Sequence, residues 1–289
     1  MKLALGTVQL GIPYGIANEA GRPDDETALE ILRAAREQDY TWLDTAAAYG
    51  ESEAVLGRLM PQVWADAPPA VATKFVLDEA RAPAAQLDEA LGRLGLPFVD
   101  ALLLHREDDL DHPRVAEFAA LGTAGRTRRT GVSCYDPKRA LQGLEAGFGC
   151  VQVPCNLFDT HSVDAGVFKR AAECGALVFV RSIFLQGLFF LSPDHPRAQH
   201  IPGAVEALRF LRDFCHRHAI TPAELAMAFG SWLGEEAVIV LGADTGAQVR
   251  ENARLATSAA AQRGLIDRWL HERPSMPPDL IHPGRWPKG

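Results

Sequence analysis

The chain has 289 residues, a formal net charge of −8 and a pI of about 5.6. It is 47% hydrophobic and 23% charged, the balance of a soluble globular protein with a large core. An acidic chain whose densest basic stretch is the short Arg126–Arg129 run is a poor nucleic-acid binder. No run reaches roughly 18 apolar residues, so no membrane span is expected. The N-terminus has one lysine and a short apolar run, without the long apolar region and cleavage site of a signal peptide. The cysteines are Cys134, Cys150, Cys155, Cys174 and Cys215, an odd number with no CxxC pair. They read as reduced thiols of a cytoplasmic protein.

Leu3–Thr7 is expected to form a first strand, followed by a loop carrying Gly11, Gly15 and Gly21. Asp24 and Asp25 cap a helix in which Ala28, Leu29, Leu32 and Ala35 recur at helical spacing. Trp42–Leu43 is a second strand ending at Asp44, and a helix follows over 52–59. Ala70–Lys74 is a third strand, followed by a helix over 82–94 with Leu87, Leu91 and Leu94 on one face. Val99–His105 is a fourth strand, with a helix over 113–124. The second half repeats the pattern with strands at 129–133, 150–153, 176–181 and 237–241. The helices between and after them span 137–146, 163–174, 205–218, 223–232 and 247–256. Thr221-Pro-Ala-Glu224 is a capping box with proline at the first helical position. An insertion over 189–204 carries Pro193, Pro196 and Pro202, and the tail, 261–289, turns proline-rich.

Alternating strands and helices imply a parallel sheet with right-handed crossovers. Eight such units predict an α/β fold, a (β/α)8 TIM barrel forming a single domain over 1–289. A doubly wound open sheet is the alternative. It is disfavoured because the stretch GTVQLGIPYG after the first strand lacks GxGxxG spacing.

In a (β/α)8 barrel the chemistry sits at the carboxyl ends of the strands. Three successive strands here end in Asp44, Lys74 and His105, and Tyr49 follows Asp44 closely. Taken singly, Asp44 is a turn or cap residue, Tyr49 a packing residue, Lys74 a solvated charge, and His105 a structural histidine paired with Glu107 or Asp108. Taken together they are not bland. An ammonium ending an apolar strand is costly unless paired, and Asp44 on the next strand is the obvious partner. A cation beside a phenol stabilises the phenolate. Tyr49 is then suited to give a proton to a developing alkoxide. His105 can donate a second hydrogen bond to the same oxygen. This apparatus suits carbonyl reduction, with the hydride supplied by a cofactor because no side chain carries one.

The motifs L-D-T-A-x-x-Y-G at 43–50, A-T-K at 72–74, L-L-L-H at 102–105 and G-V-S at 131–133 resemble the aldo-keto reductase superfamily. So do V-Q-x-x-x-N at 151–156 and G-A-x-x-x-x-Q-x-x-E-N at 242–252. The resemblance implies a tetrad of Asp44, Tyr49, Lys74 and His105, and a nicotinamide cofactor, NADP(H) or NAD(H), bound without a Rossmann fold. It implies Ser133 and Gln152 at the carboxamide, with Thr7 and Gln9 flanking cofactor and substrate. It also implies a pyrophosphate loop over 182–188, with Arg181, Ser182 and Gly187, and an adenosine loop with Gly242, Asp244, Gln248, Glu251 and Asn252. Tyr14, Arg106, Phe158 and Phe184 are candidate substrate contacts, as is Trp42, which serves equally as core.

Three positions depart from the family pattern. Cys134 stands where many members carry Asn. Arg181 stands where many place an aromatic ring on the nicotinamide; a guanidinium can stack too, and its charge favours an anionic neighbour or substrate. The adenosine loop, GADTGAQV, has Asp244 and no basic residue before Arg250. A carboxylate beside a ribose favours a free 2′-hydroxyl over a 2′-phosphate, so NAD(H) acceptance is expected unless Arg250 or Arg254 meets the phosphate.

The reading is an NAD(P)H-dependent oxidoreductase acting on a small aldehyde, ketone or sugar, with Tyr49 as general acid/base and no metal. Its rival is a cofactor-binding regulatory protein on the same barrel, with slow turnover and a partner surface at 189–204 or the tail. A Schiff-base aldolase using Lys74 is disfavoured by the paired Asp44.

Overall fold

A computed structural model describes residues 1–18, 20–65 and 67–287. Its strands are β1 (Lys2–Gly6), β2 (Trp42–Asp44), β3 (Ala70–Phe75), β4 (Ala101–Leu104), β5 (Thr130–Ser133), β6 (Cys150–Pro154), β7 (Leu177–Arg181) and β8 (Ala237–Gly242). Neighbours pair in parallel, and β8 returns to β1 in register from Lys2↔Val238 to Gly6↔Gly242, closing the barrel. The fold is a (β/α)8 TIM barrel.

Side chains alternate across each strand, which sorts the barrel into two cores. Leu3, Leu5, Leu43, Val71, Leu102, Leu104, Val151, Val178 and Ile239 face the helices in the larger apolar cluster. Ala4, Ala72, Ala101, Leu103, Cys150, Phe179 and Val238 form a smaller cluster inside the barrel, with Trp42 edge-on to Phe179 at 5.0 Å. Trp42 is therefore core. Moving two residues on from this layer on seven of the strands reaches Gly6, Asp44, Lys74, His105, Gln152, Arg181 and Val240. The same pleat that fills the barrel floor with apolar groups thus lifts a polar row to its carboxyl-terminal mouth.

The helices start where local chemistry supports them. Asp24 accepts from the Thr27 N–H, and Thr221 and Glu224 form the expected reciprocal capping box. Several boundaries move. The helix after β2 runs on to Val63 through Pro61. The helix expected over 163–174 is two, His161–Asp164 and Val167–Cys174, because Gly166 has φ +81° between them. A 3₁₀ turn over Glu107–Asp111 delays the helix after β4 to Val115–Thr123. Val99 lies outside β4 and makes only an isolated bridge with Thr127.

The tail is part of the packed structure. Within helix Gly264–Glu272, Trp269 is fully buried against Phe158, Phe210 and Phe214, and its Nε1 donates to the Leu157 carbonyl at 2.9 Å. Arg273 donates to the Phe158 carbonyl and to Thr160 Oγ1. No described helix is long and apolar enough to cross a membrane.

Candidate active site

Asp44 and Lys74 meet at the mouth. Lys74 Nζ lies 2.8 Å from Asp44 Oδ1 and 2.9 Å from Oδ2, and donates to the Thr45 carbonyl at 2.7 Å. Its side chain is wholly buried. Burial is the largest influence on the ammonium and pulls its pKa down; Asp44 and Tyr49 beside it reverse the sign, and the net shift is upward. Gln152 Nε2 donates to Asp44 Oδ1 at 2.8 Å from the opposite side of the barrel. The carboxylate is thus held from β3 and β6 at once.

Tyr49 stands on the turn between β2 and the next helix. Its hydroxyl is 3.5 Å from Lys74 Nζ, and that Nζ lies 5.0 Å from the ring centroid. The turn is tied to β3 by Thr45 N–H to the Ala72 carbonyl and Ala47 N–H to the Lys74 carbonyl, both at 2.9 Å. It is also pressed against the loop after β1, where a methyl at Gly11 would overlap the Tyr49 carbonyl oxygen. Ser52 locks the two loops together. Its Oγ donates to the Thr7 carbonyl and lies within 2.9 Å of the hydroxyls of Thr7 and Thr45. Glu53, almost fully buried, accepts from Thr73 Oγ1 and pairs with Arg93 at 2.7 Å, fixing the helix start against β3.

His105 lies edge-on to Tyr49, with ring centroids 5.7 Å apart. Burial, followed by the charges of Lys74, Arg181 and Arg106, lowers its pKa to about 4, so the ring is neutral near pH 7. The bland alternative, a structural histidine paired with Glu107 or Asp108, is not what the described residues show. The Glu107 carboxylate instead accepts the N–H groups of Tyr135 and Asp136, and His105 Nδ1 is buried without a partner among the described residues.

A cavity of about 500 Å³ opens from this cluster along the barrel mouth. Asp44, Tyr49, Thr7, Gln9, Gln152 and Gly242 line the end by this cluster, and Asp244, Gln248, Glu251 and Asn252 line the other. The loop after β7 forms one wall through Arg181, Ser182, Phe184 and Gly187. Ser182, Leu185, Gln186 and Gly187 there all have positive φ, a strained run of the kind that clusters at ligand clamps. Opposite it, the loop after β1 crosses the cavity and is pinned at both sides. Tyr14 Oη accepts from Gln186 Nε2 at 2.8 Å, and Asn18 Nδ2 donates to Asp244 Oδ1 at 3.0 Å. Burial pushes the Tyr14 phenol up to about 12.

This cavity fits a dinucleotide. Gln9 Oε1 is a buried acceptor without a partner among the described residues, and a methyl at Gly242 would overlap the Gln9 amide, so the wall must stay bare there. Glycine backbone lines both the near end and the middle. Among the described residues no cluster of His, Cys, Asp or Glu has the makings of a metal site.

Most of the residues singled out from sequence converge here, but not all. Phe158 is core, 2% exposed and packed on Phe189 and Trp269, because the tail covers it. Arg106 is exposed beside the mouth and does not line the cavity. Ser133 sits behind the cavity wall, with Oγ 3.5 Å from Gln152 Oε1. Gln186 falls in the loop expected over 182–188, whereas Asn18, Ser52 and Glu53 belong to the site without having been singled out. Ser52 and Glu53 had a signal, as the polar start of a helix directly after Tyr49.

A closed barrel with this mouth defines a class, and the sequence assigns the family: the chain belongs to the aldo/keto reductase family, whose model matches residues 2–263. It is similar to the aldo-keto reductase YhdN of Bacillus subtilis, 30% identical over 178 residues, a match spanning 55% of this chain and 51% of that protein. In fold it is similar to the holo form of aldo-keto reductase AKR11C1 from Bacillus halodurans, with TM-score 0.74, 20% identity and coverage of 93% and 91%. It is also similar to AKR2E4 of Bombyx mori in complex with NADP, with TM-score 0.63, 18% identity and coverage of 92% and 88%.

Proposed function

We propose that this protein is an NAD(P)-dependent oxidoreductase that interconverts a small carbonyl compound or sugar with its alcohol, using Tyr49 as the proton donor. One observation carries the reading: the buried Asp44–Lys74 pair holds an ammonium 3.5 Å from the Tyr49 hydroxyl at the head of a long cavity. Gln9, Gln152 and Gly242 at one end and Gln248 and Asn252 at the other would hold a nicotinamide dinucleotide, which would supply or take the hydride. The protein's own part is electrostatic. Lys74 stabilises negative charge on the Tyr49 oxygen as its proton leaves for the substrate oxygen. Neutral His105 donates from Nε2 to that same oxygen and fixes the carbonyl's direction. Asp44 keeps Lys74 charged inside the barrel, and Gln152 and Lys74 keep Asp44 in place.

NAD(H) fits the far end better than NADP(H). The acids Asp244 and Glu251 line it, and no lysine or arginine lines it among the described residues. The two arginines that would meet a 2′-phosphate are engaged, Arg250 with Glu37 at 3.1 Å and Arg254 with Glu251 at 2.7 Å. Burial raises the Asp244 carboxyl above the ordinary carboxylate range, and a phosphate beside it would raise the cost of its charge further.

The test is a fluorescence titration with NADH and NADPH, followed by turnover on a panel of small aldehydes. Tyr49→Phe should bind cofactor as the parent does and lose about 10²- to 10⁴-fold in kcat. Full activity in Tyr49→Phe, or no binding of either cofactor, overturns the proposal.

A further inference from the structure

Among the described residues, the mouth holds a cation whose charge the reaction does not use. Arg181 ends β7, two residues beyond the apolar floor residue Phe179, and lines the cavity. Its guanidinium lies 4.0 Å from the centroid of the Tyr135 ring, and Tyr135 in turn stacks on His282 of the tail at 4.0 Å with 15° between the planes. One N–H reaches the Cys134 carbonyl at a long 3.4 Å, and the other N–H groups have no acceptor among the described residues. No described carboxylate is within ion-pair reach. Glu107, on that side, is spent on the backbone of Tyr135 and Asp136.

A half-buried guanidinium with free donors and no counter-ion is an unfavourable arrangement unless a ligand completes it. Two anions come near: the cofactor's pyrophosphate and the substrate. The placement favours the substrate. Arg181 contacts the chain at the end of β5 and is one of the charges that depress His105, so it sits on the His105 side of the mouth. The Tyr135 ring covers one side of the guanidinium and leaves its N–H fork to a planar, two-pronged oxyanion.

Resting on the oxidoreductase reading above, we propose that Arg181, braced by Tyr135 and His282, is the specificity residue for a carbonyl substrate that also carries a carboxylate or phosphate. The experiment compares matched pairs: succinic semialdehyde against butyraldehyde, and glyceraldehyde 3-phosphate against glyceraldehyde. The parent enzyme prefers the anionic member of at least one pair by about 10- to 100-fold in kcat/KM. Arg181→Met brings that ratio close to one, and Arg181→Lys, which keeps the charge without the planar fork, falls between. The pair that responds tells carboxylate from phosphate. Calorimetric binding of 4-hydroxybutyrate and 1-butanol to the NAD-saturated protein gives a readout independent of turnover. The acid binds the parent and not Arg181→Met, and the neutral alcohol does not discriminate. No anionic preference in either pair, or a preference that survives Arg181→Met, overturns the proposal. So does a loss confined to NADH affinity, which would assign Arg181 to the pyrophosphate. If no aldehyde is turned over, the oxidoreductase reading falls, while selective 4-hydroxybutyrate binding still decides the role of Arg181.

Discussion

Asn18 and Asp244 are 226 positions apart and join hands across the cofactor-sized cavity, Nδ2 to Oδ1 at 3.0 Å. Asn18 also holds its own loop in shape, donating to the carbonyls of Tyr14 and Gly21 and accepting the Gly21 N–H. With Tyr14 bound to Gln186 on the far side, the loop after β1 becomes a strap over whatever occupies the cavity.

Opening that strap should set how fast a bound cofactor leaves. Asn18→Ala removes the cross-cavity bond at a cost of about 1 kcal/mol, enough for a roughly fivefold faster NADH release in stopped-flow displacement. An unchanged release rate would show that the strap opens elsewhere.

Asp244→Asn keeps an acceptor for Asn18 but removes the charge at the far end of the cavity. The ratio of NADPH to NADH affinity should rise about tenfold, read by fluorescence titration. No change in the ratio would move the discrimination to another side chain.

Gly11→Ala tests the contact between two loops. The added methyl has no room beside the Tyr49 carbonyl, which is backbone and cannot swing aside. The variant should lose roughly 1–3 kcal/mol in urea unfolding and most of its turnover, because the Tyr49 turn must shift. Parent-like activity would mean the turn yields without moving the phenol.

Lys74→Met strands Asp44 as an unpaired buried charge and should cost about 3–5 kcal/mol. Pairing it with Asp44→Asn, which keeps an oxygen for Gln152, should restore most of that stability without restoring turnover. Denaturation of the parent, the two single variants and the double variant in a double-mutant cycle reads the coupling directly.

His105 should contribute to acid lability. Its ordinary pKa of 6.5 falls to about 4 in the fold, so the unfolded chain takes up the proton first as the pH drops. Stability is intact above 6.5 and declines as the pH falls toward 4. The contribution is roughly 1–3 kcal/mol once partial exposure is allowed for. His105→Gln should flatten this part of the parent's stability–pH curve relative to the wild type.

The barrel is readable because its strands stand out as short apolar runs alternating with helical patterns, three of them ending in Asp44, Lys74 and His105. The Asp44–Lys74 pairing followed from the cost of burying an ammonium alone. What escaped was of two kinds. Contacts between distant loops, such as Asn18–Asp244 and Tyr14–Gln186, leave no periodic trace in either stretch. Burial imposed by the tail was also hidden: Phe158 looks like a loop aromatic until Trp269 covers it. The break at Gly166 was missed because a glycine inside a helical pattern is usually tolerated, and only its positive φ ends the helix here.

The stack of Arg181, Tyr135 and His282 also has a temporal meaning. A chain emerging from its N-terminus has every strand in hand once β8 is made, and the barrel can close with residue 242. The brace behind Arg181 must wait for residue 282, which reaches back across the sequence to Tyr135. The order is one of synthesis and not of loop length, because Tyr135 and His282 are nearer in sequence than Lys2 and Val238 of the closing strands. The nascent protein therefore passes through a stage in which the barrel is shut and the reacting cluster assembled, yet the pocket that would select the substrate is still unfinished.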